Sequence, residues 1–267
     1  MIGLFLGDTD FSEIVLKKIK RLNKKYFIID FSKDNKFKKD TNSHRVSIGM
    51  FGKIISLIKE KKSKKVLFAG KIAKPKLSTL GLDLKGVYYM PGIIRAAKLG
   101  DAAIIKIIIK ILDNENINVI SSIFFNPELT LKSGNYTKLK PNISESSSIK
   151  KGITYFNKLN NLDHVQAVIV KDNTIIATED RQGTKKMLIG LKKKSEAILI
   201  KLPKKKQDLR IDLPTIGLQT LKDSKKYGLK GIVLKAKKNI FLDKTKCISF
   251  ANKNKIFIKI IWKKFLF

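Results

Sequence analysis

Short apolar runs alternate with segments of helical periodicity along the first half of the chain. Ile2–Leu6 is an apolar run closed by Gly7, and Phe11–Lys20 follows with helical spacing. Tyr26–Phe31 reads as the next strand. In Phe51–Lys61, residues Phe51, Ile54, Ile55 and Ile58 fall on one helical face. Val66–Ala69 is a strand that stops at Gly70, Ile93–Leu112 carries one or two helices, and Val119–Phe125 is a further β-rich run. Strand and helix in this alternation predict a parallel sheet covered by helices.

From Asn126 to Ser148 the pattern breaks, with Pro127, Gly134, Pro141 and the run Ser144–Ser148 marking an irregular connection. Periodicity then resumes. Ile149–Leu159 reads as a helix, Ala167–Val170 and Thr174–Ala177 as a hairpin around Asp172–Asn173, and Lys185–Leu191 as a helix. Strands are expected at Ala197–Leu202, Gly231–Leu234, Ile240–Leu242 and Ile256–Ile260, with helices at Gln219–Tyr227 and Lys244–Asn252. The expected fold class is α/β with two domains. An N-terminal Rossmann-like domain with a parallel sheet spans 1–130, a linker spans 131–147, and a C-terminal mixed α/β domain spans 148–267.

Composition narrows the class. A hydrophobic fraction of 43% supplies a packed core. The single cysteine, Cys247, has no internal disulfide partner, which fits a reducing compartment. Residues 1–7 lack the basic n-region and cleavage site of a signal peptide. The most apolar stretch, Ala102–Leu112, is interrupted by Lys106 and Lys110 and is far shorter than the ~20 residues of a membrane-spanning helix. A cytoplasmic protein, soluble or on a membrane surface, is expected. The 57 basic against 22 acidic residues leave a net charge of +35, which attracts polyanions. Lysine is spread over nearly every segment and travels with isoleucine and asparagine, a pattern of compositional bias. It lacks the clustered basic and stacking aromatic residues of a nucleic-acid module.

Candidate chemistry is concentrated late in the chain. Gly3–Gly7 before Asp8-Thr9-Asp10 departs from the dinucleotide fingerprint, and the aspartates repel phosphate. Phe68-Ala69-Gly70-Lys71 with Lys74-Pro75 ends a strand where α/β proteins gather ligands, and reads equally as a surface loop. Asp208, Arg210 and Asp212 alternate at period two, so they share one face if the segment is extended. Such a face either holds a divalent cation with a substrate phosphate or is a solvated strand face. Arg210 can fork onto phosphate, and a helix beginning after Thr215 and Gly217 favours anions at its start. Asp101 reads as a helix cap, and Glu179-Asp180 before Gly183-Thr184 as a turn that can face phosphate. His44 and His164 stand far apart with no cysteine nearby, so zinc is rejected. No G-x-S-x-G or Walker sequence is present.

Gln207–Gly217 (QDLRIDLPTIG), with Lys201 upstream, resembles the signature of the LpxI-type UDP-2,3-diacylglucosamine pyrophosphatases. The likeness continues in Gly49–Ile54, Phe68–Gly70 with Lys74-Pro75, Ala96–Asp101, Gly183-Thr184 with Met187, and Gly228–Val233. The resemblance implies hydrolysis of UDP-2,3-diacylglucosamine to 2,3-diacylglucosamine 1-phosphate (lipid X) and UMP, a step of lipid A biosynthesis. It implies a catalytic aspartate at Asp212 and a divalent cation, Mg²⁺ or Mn²⁺, on Asp212 and Asp208. Substrate contacts are expected from Gly70, Lys74, Thr184, Lys201, Arg210, Thr215 and Gly217, in a cleft between the domains. Ala102, Gln182 and Lys185 stand where the family carries acids, which leaves Asp212, with Asp208 and Glu179, to carry more of any metal binding. The aromatic, basic tail Ile256–Phe267 is expected to touch an anionic inner leaflet. The rival readings are a basic nucleic-acid-binding or nucleotide-binding protein without pyrophosphatase activity.

Overall fold

The apolar runs of the first half pair side by side because both faces of their sheet are covered. In the computed structural model, which describes residues 1–73, 80–159, 165–191, 195–204 and 207–262, the chain divides into units Met1–Pro127 and Glu128–Phe267. The first contains β1 (Ile2–Leu6), α1 (Asp10–Arg21), β2 (Tyr26–Asp30), β3 (Ser43–Arg45), α2 (Phe51–Glu60), β4 (Lys65–Ala69), α3 (Leu84–Leu99), α4 (Asp101–Asn114) and β5 (Asn118–Val119). Its sheet runs β3-β2-β1-β4-β5, and every pair is parallel. Leu4, Leu6, Ile28, Ile29 and Leu67 are fully buried. Burial on both faces explains why these strands read as unbroken apolar runs. Helix α1 buries Phe11, Val15, Leu16 and Ile19, and α2 buries the four residues its periodicity marks.

Two local expectations for this unit are corrected. Strand pairing at Val119–Phe125 stops at Val119, and Phe124 N–H donates to Ser121 O in a turn. Ile120 N–H still donates to Val66 O at 2.9 Å, after which the chain turns away and leaves Ile123 and Phe125 half-buried and Phe124 exposed, so the apolar run there is neither a ladder nor a core segment. The helix expected from Ile93 begins instead at Leu84, where the Asp83 side chain accepts from Gly86 N–H at 2.8 Å. Pro91 and Gly92 hide that helix from a propensity reading, and Gly100, at φ 114°, separates it from α4.

The second unit contains β6 (Gly134–Asn135), α5 (Ile143–Lys158), β7 (Ala167–Lys171), β8 (Thr174–Thr178), α6 (Thr184–Ile189), β9 (Ile198–Lys201), β10 (Thr215–Ile216), α7 (Leu218–Lys226), β11 (Gly231–Lys235), β12 (Ile240–Phe241), α8 (Lys244–Lys253) and β13 (Phe257–Ile261). Its main sheet is mixed, in the order β6-β13-β11-β9-β7-β8. Strands β9, β11 and β13 are parallel; β6, β7 and β8 pair antiparallel to their neighbours. Successive side chains point to opposite faces. Val168, Val170, Ile198 and Ile200 meet Ile149, Ile153 and Phe156 of α5. On the other face Ile169, Leu199 and Ile232 meet Leu188, Leu221 and Cys247. The stretch read as a linker packs within this unit: Leu131 is buried, and β6 pairs with β13. Helix α5 starts at Ile143 because Asn142 and Glu145 form a reciprocal capping box. Among the described residues no helix is long and apolar enough to cross a membrane.

Gly231 pairs with Phe257, and a Cβ on it would sit 2.1 Å from that ring. Gly231→Ala is therefore expected to cost about 1–3 kcal/mol by overpacking. A thermal melt should show the unfolding of this unit lowered by several degrees; an unchanged midpoint would contradict the contact.

Candidate functional site

The carboxyl ends of parallel strands collect loops on one edge of the sheet, the usual place for ligands in α/β folds. Lys201 is the last residue of β9 and pairs with Ala167, the first of β7. The antiparallel neighbour β8 ends at Thr178, and Glu179 N–H donates to Ala167 O at 3.0 Å. Sheet register thus brings Glu179 to the same edge as Lys201. Glu179 is buried, at 6% exposure; its Oε2 accepts from Gln166 N–H at 2.6 Å and its Oε1 from Thr184 Oγ1 at 2.7 Å. Lys201 Nζ donates to the same Thr184 hydroxyl at 3.0 Å. Burial is the largest influence on Lys201 and pushes its ammonium below the usual lysine range. The carboxylates of Glu179 and Asp212 pull the other way. Asn239 anchors the strand end, donating to Lys201 O at 3.1 Å and accepting from Lys235 N–H at 2.9 Å.

The Asp208–Asp212 segment is a turn, which corrects the extended face expected from its alternation. Asp208 Oδ1 accepts from Arg210 N–H at 2.9 Å, and Ile211 and Asp212 N–H donate to Asp208 O at 3.2 and 2.9 Å. A side-chain oxygen that captures the amide two residues on closes an Asx-type turn, which competes with a strand ladder. The Arg210 guanidinium donates to the Asp208 carboxylate from Nε and Nη2, at 2.9 Å for the latter. Arg210 therefore neutralises Asp208 locally, and either one reaches a ligand only by reorganising that pair. Asp212 is held through its backbone, its carbonyl accepting from Gln207 Nε2. Gln207 is buried and its Oε1 accepts from Lys204 N–H at 2.9 Å. Next come Thr215 in β10, its Oγ1 donating to Leu213 O at 3.2 Å, and Gly217 before α7. The short pairing of β10 with β12 fixes this exit.

The first unit has a separate cavity of about 990 Å³ at the carboxyl edge of its sheet, lined by Asp8, Ser32, Lys33, Asp34, Lys36, Lys71, Ile72, Ala73 and Asp101. A fully buried carboxylate, Asp30, shapes its wall, accepting from Ser32 N–H and Oγ and from Phe37 N–H at 2.6 to 3.0 Å. Gly70, at φ +85°, lets the chain leave β4 beside Ser12; a Cβ there would lie 2.1 Å from Ser12 Oγ. Gly70 thus serves the crossing of β1 and β4, and its successors Lys71–Ala73 face the cavity. Lys74, Pro75, His164 and the tail Lys263–Phe267 lie outside the described residues.

Of the residues singled out in the sequence, Lys201, Thr184 and Glu179 meet through hydrogen bonds, and the charge of Asp212 acts on Lys201. Asp208 and Arg210 engage each other in the turn that leads to Asp212, and Gly70 lies in the other unit. Gln166 and Asn239 carried no sequence signal, and Gln207, though it opens the Gln207–Gly217 block, gave none of its contacts away, since all three act in hydrogen bonds involving backbone groups that only the fold brings near. Among the described residues no three His, Cys, Asp or Glu side chains form a group able to hold a metal ion. Mg²⁺ commonly takes only one or two carboxylates and completes its shell with substrate phosphates and water. A cation of that kind would need a single carboxylate here, and Asp212, whose charge together with that of Glu179 acts on Lys201, is the residue that would supply it.

Comparison with known proteins agrees with both units. The model of the LpxI N-terminal domain matches residues 1–129, and that of the LpxI C-terminal domain matches residues 132–259. The chain is similar to the UDP-2,3-diacylglucosamine pyrophosphatase LpxI of Caulobacter vibrioides, at 30% identity over 223 residues, covering 80% of each chain. The chain belongs to the LpxI family.

Proposed function

We propose that this protein hydrolyses the pyrophosphate of UDP-2,3-diacylglucosamine to 2,3-diacylglucosamine 1-phosphate and UMP, with chemistry centred on Asp212. The meeting of Lys201, Thr184 and Glu179 at one sheet edge, with the charge of Asp212 acting on Lys201, carries this reading, together with the similarity to a protein named for that activity. Water attacks the phosphorus on the sugar side, the P–O bond to the bridging oxygen breaks, and that oxygen leaves with UMP. Lys201 brings a partly desolvated positive charge to the diphosphate, where its field is weakly screened. Thr184 aims that ammonium, and Glu179, fixed from both oxygens, holds Thr184. Asp212 orients the diphosphate through a bound cation or takes the proton of the attacking water. Mg²⁺ or Mn²⁺ bound at Asp212 would offset charge developing on the phosphoryl oxygens. Arg210, on releasing Asp208, adds a second cation for the diphosphate.

The direct test is incubation of purified protein with UDP-2,3-diacylglucosamine, with Mg²⁺ or with a chelator, and detection of UMP. Release of UMP only with the cation is expected; no release under either condition rejects the activity. Asp212→Asn is expected to lower kcat by about 10²- to 10⁴-fold with an unchanged thermal midpoint, and full activity in that variant rejects the central carboxylate.

The lowered pKa of Lys201 sets a pH dependence. The charged form, which attracts the diphosphate, predominates below that pKa and disappears as pH rises through it. The profile of kcat/KM, which reports groups of the free enzyme, should therefore fall on its alkaline side below the ordinary lysine range. Lys201→Arg cannot lose its charge there, so its weaker activity should hold level to higher pH. Identical alkaline limbs in the two proteins would remove Lys201 from the binding step.

A further inference from the structure

We propose that the outward face of α3 docks on an anionic lipid bilayer. The inward face is settled by contacts: Gly86 and Ala96 are buried, and a Cβ on Gly86 would lie 2.1 Å from Gly49 O. Tyr89 meets the Phe51 ring edge-on at 5.8 Å. Lys85 and Lys59 both bond the Glu115 carboxylate, which clamps the start of α3 beside α2 and the end of α4. At 100° per residue the opposite face carries Leu84, Val87, Tyr88, Ile94, Arg95 and Lys98. Leu84 is 91% exposed, Tyr88 78% and Val87 59%, and Leu99 beside them is 69% exposed. The helix contains no acidic residue.

That face runs against the composition of the chain. With 57 lysines and arginines available, exposed helical positions elsewhere carry them, as Lys17 and Lys20 do on α1 and Lys150 and Lys151 on α5. On the outward face of α3 the first three turns expose leucine, valine, tyrosine and isoleucine, the one early cation, Lys85, being turned to Glu115, and Arg95 and Lys98 follow toward the helix end. Contiguous exposed apolar surface of this kind marks a binding face. The charge selects the occupant. A second copy on this face would bring together two chains that each carry a net charge of +35. Nucleic acid admits aliphatic side chains only as wedges at the cost of unstacking a base step. An anionic leaflet supplies both needs: an acyl boundary for the aliphatic side chains and headgroup charge for Arg95 and Lys98, with Tyr88 at the interface between them. This surface is distinct from the tail and holds whether or not the pyrophosphatase reading does.

Flotation of the full chain with vesicles tests it without any turnover. Wild-type protein is expected to float with equimolar phosphatidylcholine and phosphatidylglycerol and not with phosphatidylcholine alone. The triple substitution Leu84→Ser, Val87→Ser, Tyr88→Ser should weaken partitioning by at least about tenfold, and Arg95→Glu with Lys98→Glu should abolish it. Lys150→Glu with Lys151→Glu on α5 changes net charge equally and should leave most of the binding. Folding of each variant is checked by its thermal midpoint. In otherwise unchanged protein, Tyr88→Trp should add a blue-shifted emission on the anionic vesicles. The proposal fails if the triple variant floats like wild type, or if the α5 reversal weakens binding as much as the α3 reversal. It also fails if light scattering shows a dimer, broken by the triple substitution, that ignores vesicles, or if the Tyr88→Trp emission does not move.

Discussion

A lysine ammonium drawn out of water at the end of a sheet strand is the constraint around which the second unit is arranged. Burial disfavours the charge on Lys201, and only nearby carboxylates and an oriented hydroxyl hold it there. Each of those partners is fixed in turn. Glu179 is gripped by a backbone amide from the start of β7 and by Thr184, and Asp212 hangs on a turn that Asp208 closes with its own side chain. Loss of any one support leaves a charge with less compensation, which is costlier than the contact itself. The same arrangement suits a dianionic diphosphate, because a cation already stripped of part of its water meets phosphate with less reorganisation.

Arg210 and Asp208 show how a charge pair shapes the backbone that carries a neighbouring carboxylate. Their forked bond is local, within one turn, and sets the path of the backbone into Asp212. Pro214 O then accepts from Ile240 N–H at 2.9 Å, which hands the segment to the small β10–β12 pairing. A segment rich in charge is therefore ordered mainly by backbone hydrogen bonds.

The net charge of +35 acquires meaning only by position. Spread over most surfaces, lysine says little about partners. At Lys201 one such residue is desolvated and aimed; on α3 the lysines withdraw and leave an apolar face edged by cations. Composition supplied the same residue type in each place, and local packing gave it a different task.

The sequence by itself determined the elements with strong periodicity, among them α1, α2, the β7–β8 hairpin and β9, because alternation of apolar and polar positions is a local property. It also carried the family likeness through Gln207–Gly217 and the glycine-bearing blocks, and singled out Asp212, Thr184 and Lys201. Local pattern misled where two structures share one signature: Asp208, Arg210 and Asp212 alternate equally well in a strand and in an Asx-closed turn. It was silent on Gln166 and Asn239 and on the contacts of Gln207, all of them hydrogen bonds involving backbone groups, and on the first turns of α3, where Pro91 and Gly92 mask a helix held by Asp83 and by packing. Only the tertiary structure decided which acids meet Lys201. Residues 179, 184 and 201 are brought together by strand pairing, and a turn brings the charge of Asp212 to bear on Lys201; no spacing along the chain encodes a distance that depends on the register between strands.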